Sequence, residues 1–227
     1  GNGNIVTAKG ANLLSDTNKS GTGGIFIVNN SNTGGSTTQI DGNLDTSTAS
    51  GEDIQVIHNG VSTAKVVVAG NVTTHQGGDI LVWSDGGIDL SGVFMGSDDV
   101  SITALGQSAV IRGPITADVD GPGNGFIAYA APFAQTKLHP TAVLSAPNVL
   151  LGFADNPTPL IQSLLGGWIG TNSISGVNAT GGAYAKAADK PAVQILTNNL
   201  TAVLFGSLNA PIAGNSDWLQ NQLQINP

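Results

Sequence analysis

The chain has 227 residues, 32 of them Gly and none Cys, and only 10% are charged, for a formal net charge of −8. That length suits one domain or one elongated module. The acidic balance speaks against nucleic acid and anionic lipid, which are held by cationic side chains, and the lack of Cys excludes disulfides, thiolate metal sites and thiol nucleophiles.

The charged share lies far below the roughly 25% of ordinary globular domains, while hydrophobic residues make up 40%. Such a chain can fold, and it covers its surface with hydroxyls and amides. Surfaces of this kind are common on secreted proteins that touch each other or solid matter. No apolar run approaches the ~20 residues of a membrane helix, so no membrane insertion is expected. Gly1-Asn2-Gly3-Asn4 lacks the basic region and apolar core of a signal peptide. If exported, this would be a mature or excised piece.

In chain order, Ile25-Phe26-Ile27-Val28 is a short apolar run closed by NNSNTGGS, and Ile54-Gln55-Val56 and Val66-Val67-Val68 follow. A repeat then emerges in NVTT (71–74), DILVW (79–83), GIDLS (87–91), GVFMG (92–96), DVSITA (99–104), AVIRG (109–113), PITADV (114–119) and GFIAYA (125–130). Val72, Val93 and Ile115 match in that series. So do Ile80, Ile102 and Ile127, and so do Ile88 and Val110. The spacing clusters near ~22 residues, within the range of solenoids and arrays. Each unit offers three short strands separated by Gly, Asp or Asn turns.

The alternation within strands is clean. Val100-Ser101-Ile102-Thr103-Ala104 and Ile115-Thr116-Ala117-Asp118-Val119 place apolar groups on one face and polar groups on the other. No helical period intervenes between residues 20 and 135, so crossover helices are excluded. A right-handed parallel β-helix, its turns stacked at ~4.8 Å, and a β-sandwich remain. The repeat favours the β-helix, because a sandwich has no reason to recur at a fixed period.

The expected organisation is a β-helical repeat region over 1–137 and, over 138–227, a less regular continuation of the coil with a loop excursion and a C-terminal cap. Val143-Leu144 and Val149-Leu150-Leu151 read as further coil strands. Thr158-Pro159 resembles a helix start ahead of Leu160, Ile161, Leu164, Leu165, Trp168 and Ile169. VQILTNNLTAVLFGSL (193–208) returns to strand character, and SDWLQNQLQINP closes the chain as a possible cap.

The stretch GNVTTHQGGDILVWSDGGIDLSGVFMGSDDVSITALGQSAVIRGPITADV, within residues 66 to about 130, resembles the passenger region of filamentous haemagglutinin-like exoproteins. Their units take the form G-x-ITT-x-GGDI-x-L-x-A-x-G-x-IDLSG. The resemblance implies a parallel β-helix exported by two-partner secretion and acting as an extracellular adhesin or surface fibre. It brings no catalytic residues. The NPNG-type motif of that family's secretion domain is missing here, and 138–227 has no family counterpart.

Candidate chemistry is thin, and no catalytic, cofactor or metal residue is assigned. His58, His75 and His139 sit in unrelated contexts, and no nucleophile elbow, zinc-helix or P-loop motif occurs. Glu52 is the sole glutamate and Arg112 the sole arginine. A glycosidase pair would have to come from Asp98, Asp99, Asp118 and Asp120, brought into one row by stacking. Asp79 and Asp85-Gly86 read as turn residues and Asp89 as a wet-face residue. DVDGPGNG (118–125), with Asn124, resembles the start of a calcium loop but lacks the closing Glu, so a plain turn is favoured. Asn-x-Ser/Thr sequences begin at Asn18, Asn29, Asn71, Asn178 and Asn199. Of Trp83, Trp168 and Trp218, Trp83 is expected to point outward, since Ile80 and Val82 point in.

The functional expectation is an extracellular structural or adhesive protein that associates with itself, head to tail or laterally, with host or matrix glycans as possible partners. A self-assembling filament or surface-layer subunit and a polysaccharide-binding or -cleaving β-helix are the alternatives.

Overall fold

A computed structural model describes residues 3–15, 24–46, 51–106, 109–121, 123–132, 136–138, 142–154, 194–197, 199–207 and 210–211. All regular structure in them is β, and no helix occurs among the described residues.

Strands follow one another in triplets, one triplet per turn of a coil. The first turn is β1 (Ile5–Thr7), β2 (Asn12–Leu14) and β3 (Ile25–Asn29); the second is β4 (Thr37–Ile40), β5 (Asn43–Asp45) and β6 (Ile54–His58). The third is β7 (Lys65–Val68), β8 (Val72–Thr73) and β9 (Ile80–Ser84); the fourth is β10 (Gly87–Leu90), β11 (Phe94–Met95) and β12 (Val100–Ala104). Then come β13 (Ala109–Ile111), β14 (Ile115–Thr116) and β15 (Phe126–Pro132), followed by β16 (Thr136–Leu138), β17 (Val143–Ser145) and β18 (Asn148–Ala154). β19 (Gln194–Leu196), β20 (Asn199–Ser207) and β21 (Ala210–Pro211) complete the series.

Through β18 every third strand pairs in parallel, and β19 and β20 then pair in parallel with β17 and β18. A first sheet runs β1-β4-β7-β10-β13-β16, a second β2-β5-β8-β11-β14-β17-β19 and a third β3-β6-β9-β12-β15-β18-β20-β21. This is a parallel β-helix, not a sandwich. The one antiparallel pairing among the described residues is β20 with β21. The strands expected at 143–151 and 193–208 are β17 to β20. The helix expected at Thr158-Pro159, Trp168, Trp218 and the terminal cap lie outside the described residues.

The core is the inside of the coil. Ile54, Val56, Ile80, Val82, Val100, Ile102 and Ile127 point inward from the third sheet, and Val66, Val68, Ile88, Leu90 and Ile111 from the first. Leu44, Val72, Phe94, Ile115 and Leu144 supply the second. Phe94, fully buried, stacks between Val72 and Ile115. β-Branched residues dominate because they suit a pleated, closely layered interior.

The corner before the second sheet explains part of the glycine content. A Cβ on Gly70 would lie 1.9 Å from the Gly42 carbonyl oxygen, one on Gly92 1.9 Å from the Gly70 oxygen, and one on Gly113 1.9 Å from the Gly92 oxygen. Backbone meets backbone here turn after turn, and only glycine fits.

Three expected alignments are corrected. Phe94, not Val93, stacks on Val72 and Ile115. Ile80 aligns with Val100 and Ile127, while Ile102 lies between Val82 and Tyr129. Ile88 meets Ala109, and Val110 meets Asp89. The cause is unequal turn length. Equivalent corner residues are 26 apart from Asp53 to Asp79, 20 from Asp79 to Asp99 and 27 from Asp99 to Phe126. A constant period therefore slips by a residue or two where a corner lengthens.

Candidate functional site: an acidic corner beside an uncharged face

Three parts of the coil concentrate its chemistry: the corner leading into the third sheet, the outer face of that sheet, and a polar pocket in its interior.

At the corner, an Asp stands just before the strand in three successive turns, ahead of Ile54, Ile80 and Val100. The Asp79 N–H donates to Asp53 Oδ1 at 2.9 Å, the Asp99 N–H to Asp79 Oδ1 at 3.0 Å, and the Phe126 N–H to Asp99 Oδ1 at 2.9 Å. Each carboxylate thus ties one turn to the next. The signal was legible in the repeated Asp-Ile and Asp-Val steps, yet sequence reasoning took Asp79 as a turn residue and Asp99 as part of a carboxylate row, and missed Asp53.

Asp98 joins this column from the side. Asp79, Asp98 and Asp99 each place a carboxylate oxygen within 4.8 Å of the others. Partial burial raises the Asp79 pKa, with Asp53 and Asp98 adding to the effect and the Asp99 N–H opposing it. Asp99 is raised by burial, then by Asp98, Asp79 and Asp118, against the Phe126 N–H. Such a trio offers the hard oxygen donors that a divalent cation takes. The backbone bonds already account for Asp79 and Asp99, however, so their role in the ladder is sufficient reason for both.

The other aspartates do not converge on this trio. Asp118 has φ 60 and accepts from the Gly123 N–H at 2.9 Å, the geometry of a turn. Asp120 accepts from the Ser97 hydroxyl and lies 3.5 Å from the Gln76 N–H. The Asp118 side chain thus serves a turn. Asp85 sits at the opposite corner, where it accepts from the Gly60 N–H at 2.8 Å and the Trp83 indole N–H at 2.9 Å. Asp89 lies on the outer face of the first sheet between Lys65 at 3.6 Å and Arg112 at 3.1 Å. The candidate row of Asp98, Asp99, Asp118 and Asp120 thus has no arginine beside it, because Arg112 belongs to another sheet.

The outer face of the third sheet is different in kind. Phe26 and Val28 on β3, Ile57 on β6, and Leu81 and Trp83 on β9 point outward between inward residues. Phe26 is 60% exposed and Val28 45%. Gln55, Ser101, Thr103, Ala128 and Ala130 continue the face, and no outward position of β3, β6, β9, β12 or β15 is charged. Trp83 points outward as expected. The apolar residues around it were missed, because Phe26, Ile57 and Leu81 lie far apart in sequence and align only once the turn lengths are known.

Inside the coil, the column Asn29, His58, Ser84 replaces apolar residues with polar ones. His58 is fully buried, its Nε2 2.9 Å from the Ser36 hydroxyl and its Nδ1 3.1 Å from that of Thr38. Asn29 donates to the Thr38 hydroxyl at 3.2 Å. Burial lowers the His58 pKa, against weaker raising effects of the Lys65 backbone and Asp85. His58 is thus a satisfied interior residue. His75 lies apart, at the surface, with Nε2 3.0 Å from Asp45 Oδ1. His139 lies outside the described residues.

A comparable ladder of amides lines the corner before the second sheet. Asn43 donates to Asn12 Oδ1 at 3.1 Å, the Asn71 N–H donates to Asn43 Oδ1 at 3.0 Å, and the Val93 N–H to Asn71 Oδ1 at 3.2 Å. Asn29 is buried and Asn71 holds this ladder, so the Asn-x-Ser/Thr sequences starting at both serve the coil's own hydrogen bonding.

No family model matches the chain, and no curated protein or solved structure gives a significant match to it.

Proposed function

We propose that this chain is an extracellular structural or adhesive protein that works through the outer surface of its coil and through association with itself. The observation that carries this reading is the uncharged outer face of the third sheet, set on a rigid stack of turns. A stacked coil repeats each outward position at ~4.8 Å, so it presents a long flat surface and not a pocket. Large exposed apolar areas on a folded protein mark contact with another body. The neutral polar composition and the resemblance of residues 66 to 130 to haemagglutinin-like passengers agree with that habitat, and export by two-partner secretion belongs to the same proposal.

Assembly into a filament is a second reading, favoured by the chain's low charge and few lysines, which leave strand edges little guarded against pairing. At one end of the third sheet, β21 lies antiparallel along β20 and carries Pro211, which lacks an N–H. Head-to-tail growth through the third sheet would have to displace that strand. Cleavage of polysaccharide finds less support, since the acidic column is occupied by backbone bonds.

Negative-stain electron microscopy of purified protein, with light scattering on the same sample, tests the proposal. Straight rods, single or side by side, are expected. Round particles that hydrolyse polysaccharide would overturn it.

A further inference from the structure

We propose that Asn124 is a site of spontaneous covalent change, where the side-chain amide is lost to leave Asp or isoaspartate, and that the coil's own hydrogen bonds protect Asn59 from the same reaction. Both residues precede a glycine, which has no Cβ to hinder attack by its nitrogen. The reaction is internal. The Gly nitrogen bonds to the Asn Cγ and the Cγ–Nδ2 bond breaks. The proton from the Gly nitrogen leaves with the amide group as ammonia. Water then opens the five-membered imide, at Cγ to give Asp or at the main-chain carbonyl to give isoaspartate. Attack needs a side chain able to turn and a Gly N–H that no acceptor holds.

Five Asn-Gly or Asp-Gly steps lie within the described residues, at 41–42, 59–60, 85–86, 120–121 and 124–125. In three of them a side chain holds the Gly nitrogen. The Gly42 N–H donates to Thr7 Oγ1 at 3.3 Å, the Gly60 N–H to Asp85 Oδ2 at 2.8 Å and the Gly86 N–H to Ser84 Oγ at 3.1 Å. At Asn59 the side chain is held as well, since its Nδ2 donates to Asn30 Oδ1 at 3.0 Å. Both bonds must break before the Gly60 nitrogen can reach Cγ.

The other two steps stand together ahead of β15. Asp120 has no amide to lose, and the Ser97 hydroxyl donates to its carboxylate. Asn124 has one and is exposed. Among the described residues no group holds its side-chain amide or the Gly125 N–H. Asn148 Nδ2 donates to the Asn124 carbonyl at 3.0 Å, which draws electrons from that peptide unit and makes the Gly125 N–H more acidic. Gly125 is buried against Asp98, whose Oδ1 would lie 3.1 Å from a Cβ placed there, so a carboxylate base stands beside the reacting peptide.

Either product adds a carboxylate close to Asp98 and Asp118. Isoaspartate also lengthens the main chain by one carbon just before Phe126, whose N–H closes the Asp53-Asp79-Asp99 ladder. Conversion is therefore a slow, irreversible loosening of the acidic corner.

The test keeps the purified full chain at mildly alkaline pH and body temperature for weeks, followed by tryptic digestion and mass spectrometry. Cleavage after Arg112 and Lys137 releases 113–137, in which Asn124 is the only asparagine. Asn124 should convert about tenfold or more faster than Asn59, and the product should accept methyl groups from an isoaspartate-specific methyltransferase. In denaturant the two should convert at similar rates. Asn148→Ala should slow the change at Asn124. Asp85→Ala should speed it at Asn59, and Asn30→Ala, at an exposed position, serves if circular dichroism shows that Asp85→Ala does not fold. Equal rates at Asn124 and Asn59 in the folded chain would overturn the proposal, as would an Asn124 that changes only in denaturant. An Asn59 indifferent to both Asp85→Ala and Asn30→Ala would overturn the protection.

Discussion

The second and fourth turns of this coil share the same corner residues, Gly before the second sheet and Asp before the third, and have different fillings. Around β6 the interior holds His58 between the Ser36 and Thr38 hydroxyls, with Asn29 beside them. Around β11 and β12 it holds Phe94, Val100, Ile102 and Ala104. The comparison shows that the corners specify the turn: the Gly42-Gly70-Gly92-Gly113 column and the Asp53-Asp79-Asp99 ladder run past both fillings. The interior needs only to be filled and satisfied, by hydrocarbon or by closed hydrogen bonds.

The largest break should come from the apolar turn. Phe94→Ala removes a fully buried ring between Val72 and Ile115 and should cost about 4 kcal/mol, read as a lower midpoint in chemical denaturation. At the corner shared by both fillings, Gly92→Ala forces a Cβ against the Gly70 carbonyl and should cost about 3 kcal/mol. If Gly92→Ala were neutral by the same assay, the corners would not specify the turn.

The polar turn should respond less, and in a pH-dependent way. His58→Ala leaves Ser36 and Thr38 short of a partner and should cost about 2 kcal/mol at pH 7.5. Because burial lowers the His58 pKa, the unfolded chain binds its proton first as pH falls. Stability from this group is complete above the unfolded value of 6.5 and declines as pH drops below it toward the folded value. Denaturation midpoints at pH 7.5 and pH 5 should differ in the parent and differ less in His58→Gln.

The acidic corner carries the opposite sign and the smallest effect. Asp79 and Asp99 are raised, so the folded chain holds their protons more tightly. The cost of burying their charges, with their mutual repulsion added, is absent at low pH and returns as pH rises through the folded values. Asp79→Asn keeps an acceptor for the Asp99 N–H and removes one charge. It should leave stability unchanged or raise it by up to about 1 kcal/mol at pH 7.5. A clear loss, together with stabilisation of the parent but not the variant by millimolar calcium, would mean that the trio serves a cation.

Much of the coil was legible in the sequence, because Val100 to Ala104 and Ile88 to Leu90 alternate apolar with polar, and alternation identifies the inward face locally. Register was less legible. Val93 and Phe94 are neighbours of similar character, and choosing between them needs the length of each corner, which depends on backbone contacts such as that of Gly92 with Gly70. The candidate surface was hardest to see. Trp83 could be assigned outward from its own strand. Its neighbours on that surface come from residues 26, 28 and 57, and no local pattern links positions separated by unequal turns. Asp53 was missed for a different reason: one Asp before a strand reads as an ordinary turn, and only the stack makes it a ladder.

The most direct test of the outer face as the working surface uses the absence of Cys from the chain. Single cysteines introduced at Leu81 on the third sheet, Met95 on the second and Val67 on the first can each be treated with a bis-maleimide spanning the roughly 10 Å between packed sheets. Covalent dimers of the Leu81→Cys chain, with little from Met95→Cys or Val67→Cys, are the predicted result. Equal yields at the three positions, or a yield confined to the first or second sheet, would contradict it.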